Sequence, residues 1–115
     1  MSSIIEEKSF KFAIRIVNLY KHLCADKKEY VMSKQVLRSG TSIGANVSEA
    51  ERGQTKPDFY AKLSIALKEA NETCYWIRLL HATDYLDNKE FTSLFADVNE
   101  LISILVAICK SKDCT

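Results

Sequence analysis

Glycine and proline are scarce in this 115-residue chain, with three of the first and one of the second. An all-β sandwich or barrel needs turn residues every 8–12 positions or so, roughly, and the shortage excludes both. No run of about 18 apolar residues occurs, so no segment is expected to span a membrane. The C-x-x-C pair is absent as well. Cys24, Cys74, Cys109 and Cys114 have only two histidines to join them, and their spacing matches no zinc pattern. They read as free thiols of a reducing compartment, three of them as small core residues. The N-terminus is too acidic, and its apolar part too short, for a secretory signal. These absences predict a cytoplasmic protein with no membrane partner and no metal. A large excess of one charge is also missing: 16 Lys+Arg face 15 Asp+Glu, a net of +1. The charge is uneven, however. Residues 1–57 carry ten basic and six acidic side chains, and residues 58–115 carry six and nine. A strongly basic nucleic-acid binder would show more than this, but one basic face fits.

What remains is helix. With 47% hydrophobic and 27% charged residues, the chain suits a single globular domain over residues 1–115. Apolar periodicity predicts an all-α fold with helices over about 3–26, 30–52, 56–84 and 87–111. The first has two apolar stripes, Phe10, Ala13, Ile14, Val17, Tyr20, Cys24 and Phe12, Ile16, Leu19, Leu23. The second is rich in small residues at Ser39–Ala45, which would let a neighbour approach closely. Gly53 is expected to end it as a left-handed cap. Thr55-Lys56-Pro57-Asp58 reads as a capping box opening the third helix, and Asp87 opens the fourth. In the third helix Phe59, Leu63, Ala66, Leu67, Ala70, Cys74, Ile77 and His81 form the expected core stripe. Short connections predict an antiparallel up-down-up-down four-helix bundle. That packing turns the second stripes outward: Phe12 to Leu23 on helix one, and Lys62, Ile65, Glu69, Glu72, Trp76 and Leu80 on helix three. Exposed apolar stripes mark a partner surface, and a homo-oligomer is the simplest partner.

Two acidic pairs invite a metal reading. Glu69-x-x-Glu72 and Asp97-x-x-Glu100 are spaced like the Mg²⁺ ligands of all-α nucleotide pyrophosphohydrolases. The second pair is D-x-x-E rather than E-x-x-D, and it falls off the core face set by Val98, as solvated surface would. Glu69 and Glu72 lie between Ile65 and Trp76 and need a cationic partner, for which Arg38 is the candidate. A structural ion pair is favoured over a magnesium-dependent hydrolase, and Arg38→Ala is expected to cost ~3 kcal/mol or more. Neither His22 nor His81 follows a glutamate at the di-iron spacing. His81 reads as a hydrogen-bonded core residue. Ser39, Ser42 and Ser48 have no histidine close in sequence, and Gly40 to Gly44 lacks the phosphate-loop pattern. No catalytic residue and no cofactor is assigned. The remaining signal is the stripe Lys8, Lys11, Arg15 and His22, backed by Lys27, Lys28 and Lys34. It is the candidate surface for RNA or DNA, repeated by symmetry in an oligomer. The alternative is a solvated face on a scaffold that docks another protein.

The stretch Gln35 to Ala50, with Asp58-Phe59, Lys62-Leu63 and Ile65 to Trp76, resembles a bacterial family. Its members are four-helix-bundle proteins encoded in intervening sequences of 23S ribosomal RNA genes. The resemblance covers essentially the whole chain. It implies a homopentamer, with no enzymatic activity and no cofactor. Related proteins include the accessory variability protein of diversity-generating retroelements, a basic pentamer that binds nucleic acid and the reverse transcriptase. This chain departs from that relative in charge, since +1 per subunit gives only +5 for a pentamer. Arg38, Ser42, Asn46, Glu49, Glu69, Glu72 and Trp76 stand at the family's motif positions, where the resemblance implies a structural role.

Overall fold

Three helix starts are capped by side chains, two of them (Thr55 and Asp87) as the sequence predicts, and the third by Ser3, whose capping role was not anticipated. Ser3 Oγ accepts the Glu6 N–H at 3.2 Å, Thr55 Oγ1 accepts that of Asp58 at 3.2 Å, and Asp87 Oδ1 accepts that of Glu90 at 2.7 Å. The computed structural model describes residues 3–111; Cys114 lies outside them. The four helices are α1 (Ile4–Ala25), α2 (Met32–Glu51), α3 (Lys56–Ala82) and α4 (Asn88–Ser111). They agree with the expected bounds to within about two residues, the usual uncertainty of a helix end.

Cross-helix pairs give the directions. Ser3 at the start of α1 bonds Glu51 at the end of α2, while Cys24 at the far end of α1 meets Ser33 at the start of α2. Arg38 reaches Glu72 and Glu49 reaches Lys62, so α2 and α3 also run oppositely. His81 with Asn88, and Tyr60 with Ser111, do the same for α3 and α4. The bundle is antiparallel throughout.

The core corrects the reading of α1. Its inward stripe is Ile5, Ser9, Phe12, Ile16, Leu19 and Leu23, all buried. Phe10 is 67% exposed and Ile14 49%. The two stripes are therefore exchanged relative to expectation. In α3 the buried residues are Leu63, Ala66, Ala70, Thr73, Ile77 and Leu80. Leu80 belongs to the core and not to the outward stripe, while Phe59, Leu67, Cys74 and His81 are half-buried at its edge. Cys24, Cys74 and Cys109 are free thiols as expected, but all three are half-buried rather than core.

The small residues of α2 do what was expected. A Cβ built on Gly40 would lie 2.8 Å from both Cγ atoms of Ile16, and one on Gly44 would lie 3.3 Å from the Ser9 carbonyl oxygen. Glycine and serine thus set how closely α1 and α2 cross. Gly53 is not a left-handed cap, because no described glycine has a positive φ. The left-handed residues are Lys28 (φ 54°) and Asp84 (φ 69°), in the α1–α2 and α3–α4 turns. After α3 the Tyr85 N–H reaches the Leu80 carbonyl at 2.8 Å, closing the turn around Asp84.

α4 contributes Leu94, Val98, Leu101 and Leu105 to the core. It packs mainly on α3 and touches α1 sparsely. By length and composition α4 does qualify as a membrane span, with an 18-residue window of mean hydropathy 1.6. Only 22% of that window is buried in the bundle, so much of its apolar flank is partly open. Asp97 and Glu100 interrupt the apolar run, and both face cations on α1.

Candidate functional site

A cluster of polar and charged side chains lies between α2 and α3. Arg38 immediately precedes the small-residue stretch of α2, and its side chain lies across to α3. Its Nη1 donates to Glu69 Oε2 at 3.3 Å and its Nη2 bonds Glu72 Oε2. Trp76 Nε1 donates to the same Glu72 oxygen at 3.0 Å. Beneath this cluster the buried Thr73 hydroxyl lies 2.9 Å from Ser39 Oγ and 2.7 Å from the Glu69 carbonyl. The Glu69 side chain is 13% exposed and that of Arg38 51%. One guanidinium serves two carboxylates, so the cluster keeps a net charge of −1.

The other motif residues lie further along α2. The Asn46 amide donates to the Ser42 carbonyl at 2.8 Å, and Glu49 pairs with Lys62 at 3.1 Å. Because Arg38 is half in solvent, its loss costs less than a buried pair would suggest. Arg38→Ala is expected to lower stability by about 1–2 kcal/mol, mostly through the nearly buried Glu69 left without its cation. Urea denaturation of the variant beside Arg38→Lys measures this, with lysine recovering the charge and losing the two-pronged geometry.

The basic stripe on α1 is not free as drawn from the sequence. Lys8 pairs with Glu100 at 3.2 Å and Arg15 with Asp97 at 2.7 Å, across the α1–α4 seam. His22 Nδ1 bonds Asp26 at 2.7 Å. Asp97 and Glu100 are thus ion-pair partners, not the plain solvated surface expected of them. The two acidic pairs are also engaged by different helices, Glu69 and Glu72 by α2 and Asp97 and Glu100 by α1. Among the described residues no group of three His, Cys, Asp or Glu side chains is placed to hold a metal. His81 stacks on Phe91 with ring centroids 4.0 Å apart, and its Nε2 meets Asn88 Oδ1 at 2.7 Å. An open groove of about 350 Å³ beside Phe10 is lined by Glu6, Glu7, Lys11, Gly44 and Ser48.

Lysines without an ion-pair partner among the described residues gather at the α1–α2 turn: Lys21, Lys27, Lys28 and Lys34, all exposed. Glu29, the acid that would balance them, is turned inward and buried. Its carboxylate accepts the N–H groups of Ser33 at 2.7 Å, Met32 at 3.1 Å and Val31 at 3.2 Å. Burial opposes its ionisation, but the Ser33, Met32 and Val31 amides and the Ser33 hydroxyl outweigh it and hold the carboxyl below its ordinary value. The N-cap residue of α2, Val31, has no capping side chain, so Glu29 stands in for one. Glutamate is not among the preferred capping residues, and the sequence reading missed it.

A family model described as 23S rRNA-intervening sequence protein matches residues 1–107. The chain belongs to that family. A solved structure of similar shape is that of a protein of unknown function from the S23 ribosomal protein family from Bacteroides thetaiotaomicron VPI-5482, at 1.70 Å resolution. It is 54% identical, superposes with a TM-score of 0.92, and the match covers 93% of this chain and 99% of that one. No curated protein matches the chain. Of the motif residues in this family member, Arg38, Glu69, Glu72 and Trp76 meet where α2 crosses α3 and Glu49 reaches Lys62 there, while Ser42 and Asn46 bond each other within α2.

Proposed function

We propose that this family member is a non-catalytic cytoplasmic protein that assembles with copies of itself, as a pentamer by resemblance, and offers a lysine-bearing surface to RNA or DNA. The observation that carries the nucleic-acid part is the α1–α2 turn. There four exposed lysines stand without acidic partners because Asp26 is taken by His22 and Glu29 by the start of α2. Lysines facing phosphates bind by releasing counterions, and symmetry multiplies them. The stripe first expected on α1 contributes less, since Lys8 and Arg15 are committed to α4. Half-exposed Tyr30 beside the lysines offers a ring on which an unpaired base can stack.

Titration of labelled structured RNA and duplex DNA at two salt concentrations tests this. Micromolar or tighter binding that weakens steeply with salt is the expected result, and Lys27→Glu with Lys28→Glu is expected to abolish it. Absence of binding at low salt would sink the nucleic-acid reading. The protein-scaffold reading would then lead, favoured by the exposed apolar side chains Phe10 and Ile14.

A further inference from the structure

The exposed large apolar side chains that lie within helices are Ile4, Phe10 and Ile14 on α1 and Ile65 and Tyr75 on α3. These helices occupy opposite corners of the bundle, since each packs between α2 and α4. α2 and α4 show no large apolar side chain of comparable exposure among the described residues. A two-fold contact of α1 with α1 would leave the α3 face bare. A contact of α1 on α3 covers both faces in every copy.

The spacing of the two faces matches. Ile4 and Ile14 are ten residues apart, as are Ile65 and Tyr75. Between them the charges fall at the same intervals: Glu7 and Lys11 on α1, Lys68 and Glu72 on α3. When the helices run in the same direction with Ile4 on Ile65 and Ile14 on Tyr75, Glu7 meets Lys68 and Lys11 meets Glu72. Run in opposite directions, the same apolar residues still coincide, but Glu7 meets Glu72 and Lys11 meets Lys68. Glu7, Lys11 and Lys68 are exposed and have no ion-pair partner among the described residues. The Arg38 cluster that contains Glu72 has one more carboxylate than guanidinium, so it has a negative charge to offer Lys11.

We infer that α1 of one copy docks in parallel along α3 of the next, in the register that sets Ile4 on Ile65. The partner is a second copy of this chain, and the inference rests on the self-assembly reading above. The contact is heterologous, with different surfaces on its two sides. It therefore repeats head to tail and makes a ring where the rotation closes. Like charges placed opposite one another act against the reverse orientation.

The experiment is a charge exchange read by native mass spectrometry and light scattering over a dilution series, with circular dichroism confirming that each variant is folded. Glu7→Lys and Lys68→Glu are each expected to weaken assembly by roughly tenfold or more, and the double variant is expected to restore it. A wild-type chain that stays monomeric overturns self-assembly and the contact together. A wild-type oligomer whose single variants assemble normally, or whose double variant is no better than the singles, overturns this contact and leaves self-assembly standing. Ile14→Asp supplies an independent check. Because Ile14 is exposed, this variant is expected to fold and to dissociate; assembly at wild-type strength would overturn the contact.

Discussion

Gly40→Ala destabilises the bundle by about 2–3 kcal/mol, the cost of forcing an extra methyl into a packed interface. The expectation runs against intrinsic propensity, because alanine is the better residue in a helix by about 1 kcal/mol. Geometry decides between the two effects. The new Cβ would sit 2.8 Å from both Cγ atoms of Ile16, a fully buried residue with no room to rotate away. Either Ile16 leaves its rotamer or α1 and α2 separate, and separation would also loosen the Ser9–Gly44 crossing. Urea denaturation gives the number, and a second substitution gives the cause. Ile16→Ala is costly by itself, but in its background Gly40→Ala is expected to become neutral or stabilising, since the clashing atoms are gone. Equal losses in both backgrounds would show that something other than Ile16 makes glycine necessary.

Glu29→Gln is expected to cost about 2 kcal/mol at neutral pH, through three backbone N–H groups that lose a charged acceptor at the start of α2. The cost depends on pH in a definite direction. The folded carboxyl ionises below its unfolded counterpart, so its stabilisation is complete above the unfolded value, about pH 4–5, and is lost as pH falls through the folded one. Wild type and variant are therefore expected to differ most near pH 7 and to converge in acid. Denaturant midpoints at pH 7, 5 and 3 measure the gap. A gap that stays constant over that range would mean that the glutamate acts through packing and not through its charge.

How much of this was legible in the sequence depends on how far apart the interacting residues lie. Helix number, bounds and the capping residues Thr55 and Asp87 were readable because those signals act over three or four positions. The Arg38 cluster was readable as well, since Glu69 and Glu72 beside Trp76 demanded a cation and α2 supplied one. The inward face of α1 was not. Both stripes are apolar, and the one that proves to be inward is interrupted by Ser9, which makes it look the poorer core. Ser9 is inward because α2 presents Gly44 opposite it, a fact that belongs to two helices and to neither alone. The pairing of Lys8 and Arg15 with Glu100 and Asp97 was hidden for the same reason, because it joins the first helix to the last. The role of Glu29 was obscured by position: it precedes α2 by three residues, in a turn where its neighbours are lysines.

The sparse seam between α1 and α4 bears on how the chain is made. The extensive packing is all between helices adjacent in the sequence, α1 with α2, α2 with α3 and α3 with α4, so no extensive contact awaits a distant segment. Local contacts of this kind favour rapid folding. On the ribosome α1 and α2 can close on each other, with Gly40 against Ile16, while α3 is still being synthesised, and α3 can then lie down on α2. α4 arrives last and needs only the surface already built, joining α1 through two ion pairs that water and salt can screen. Until it does, the side of α3 that packs on α4 is uncovered, and the nascent chain shows that apolar strip to its surroundings.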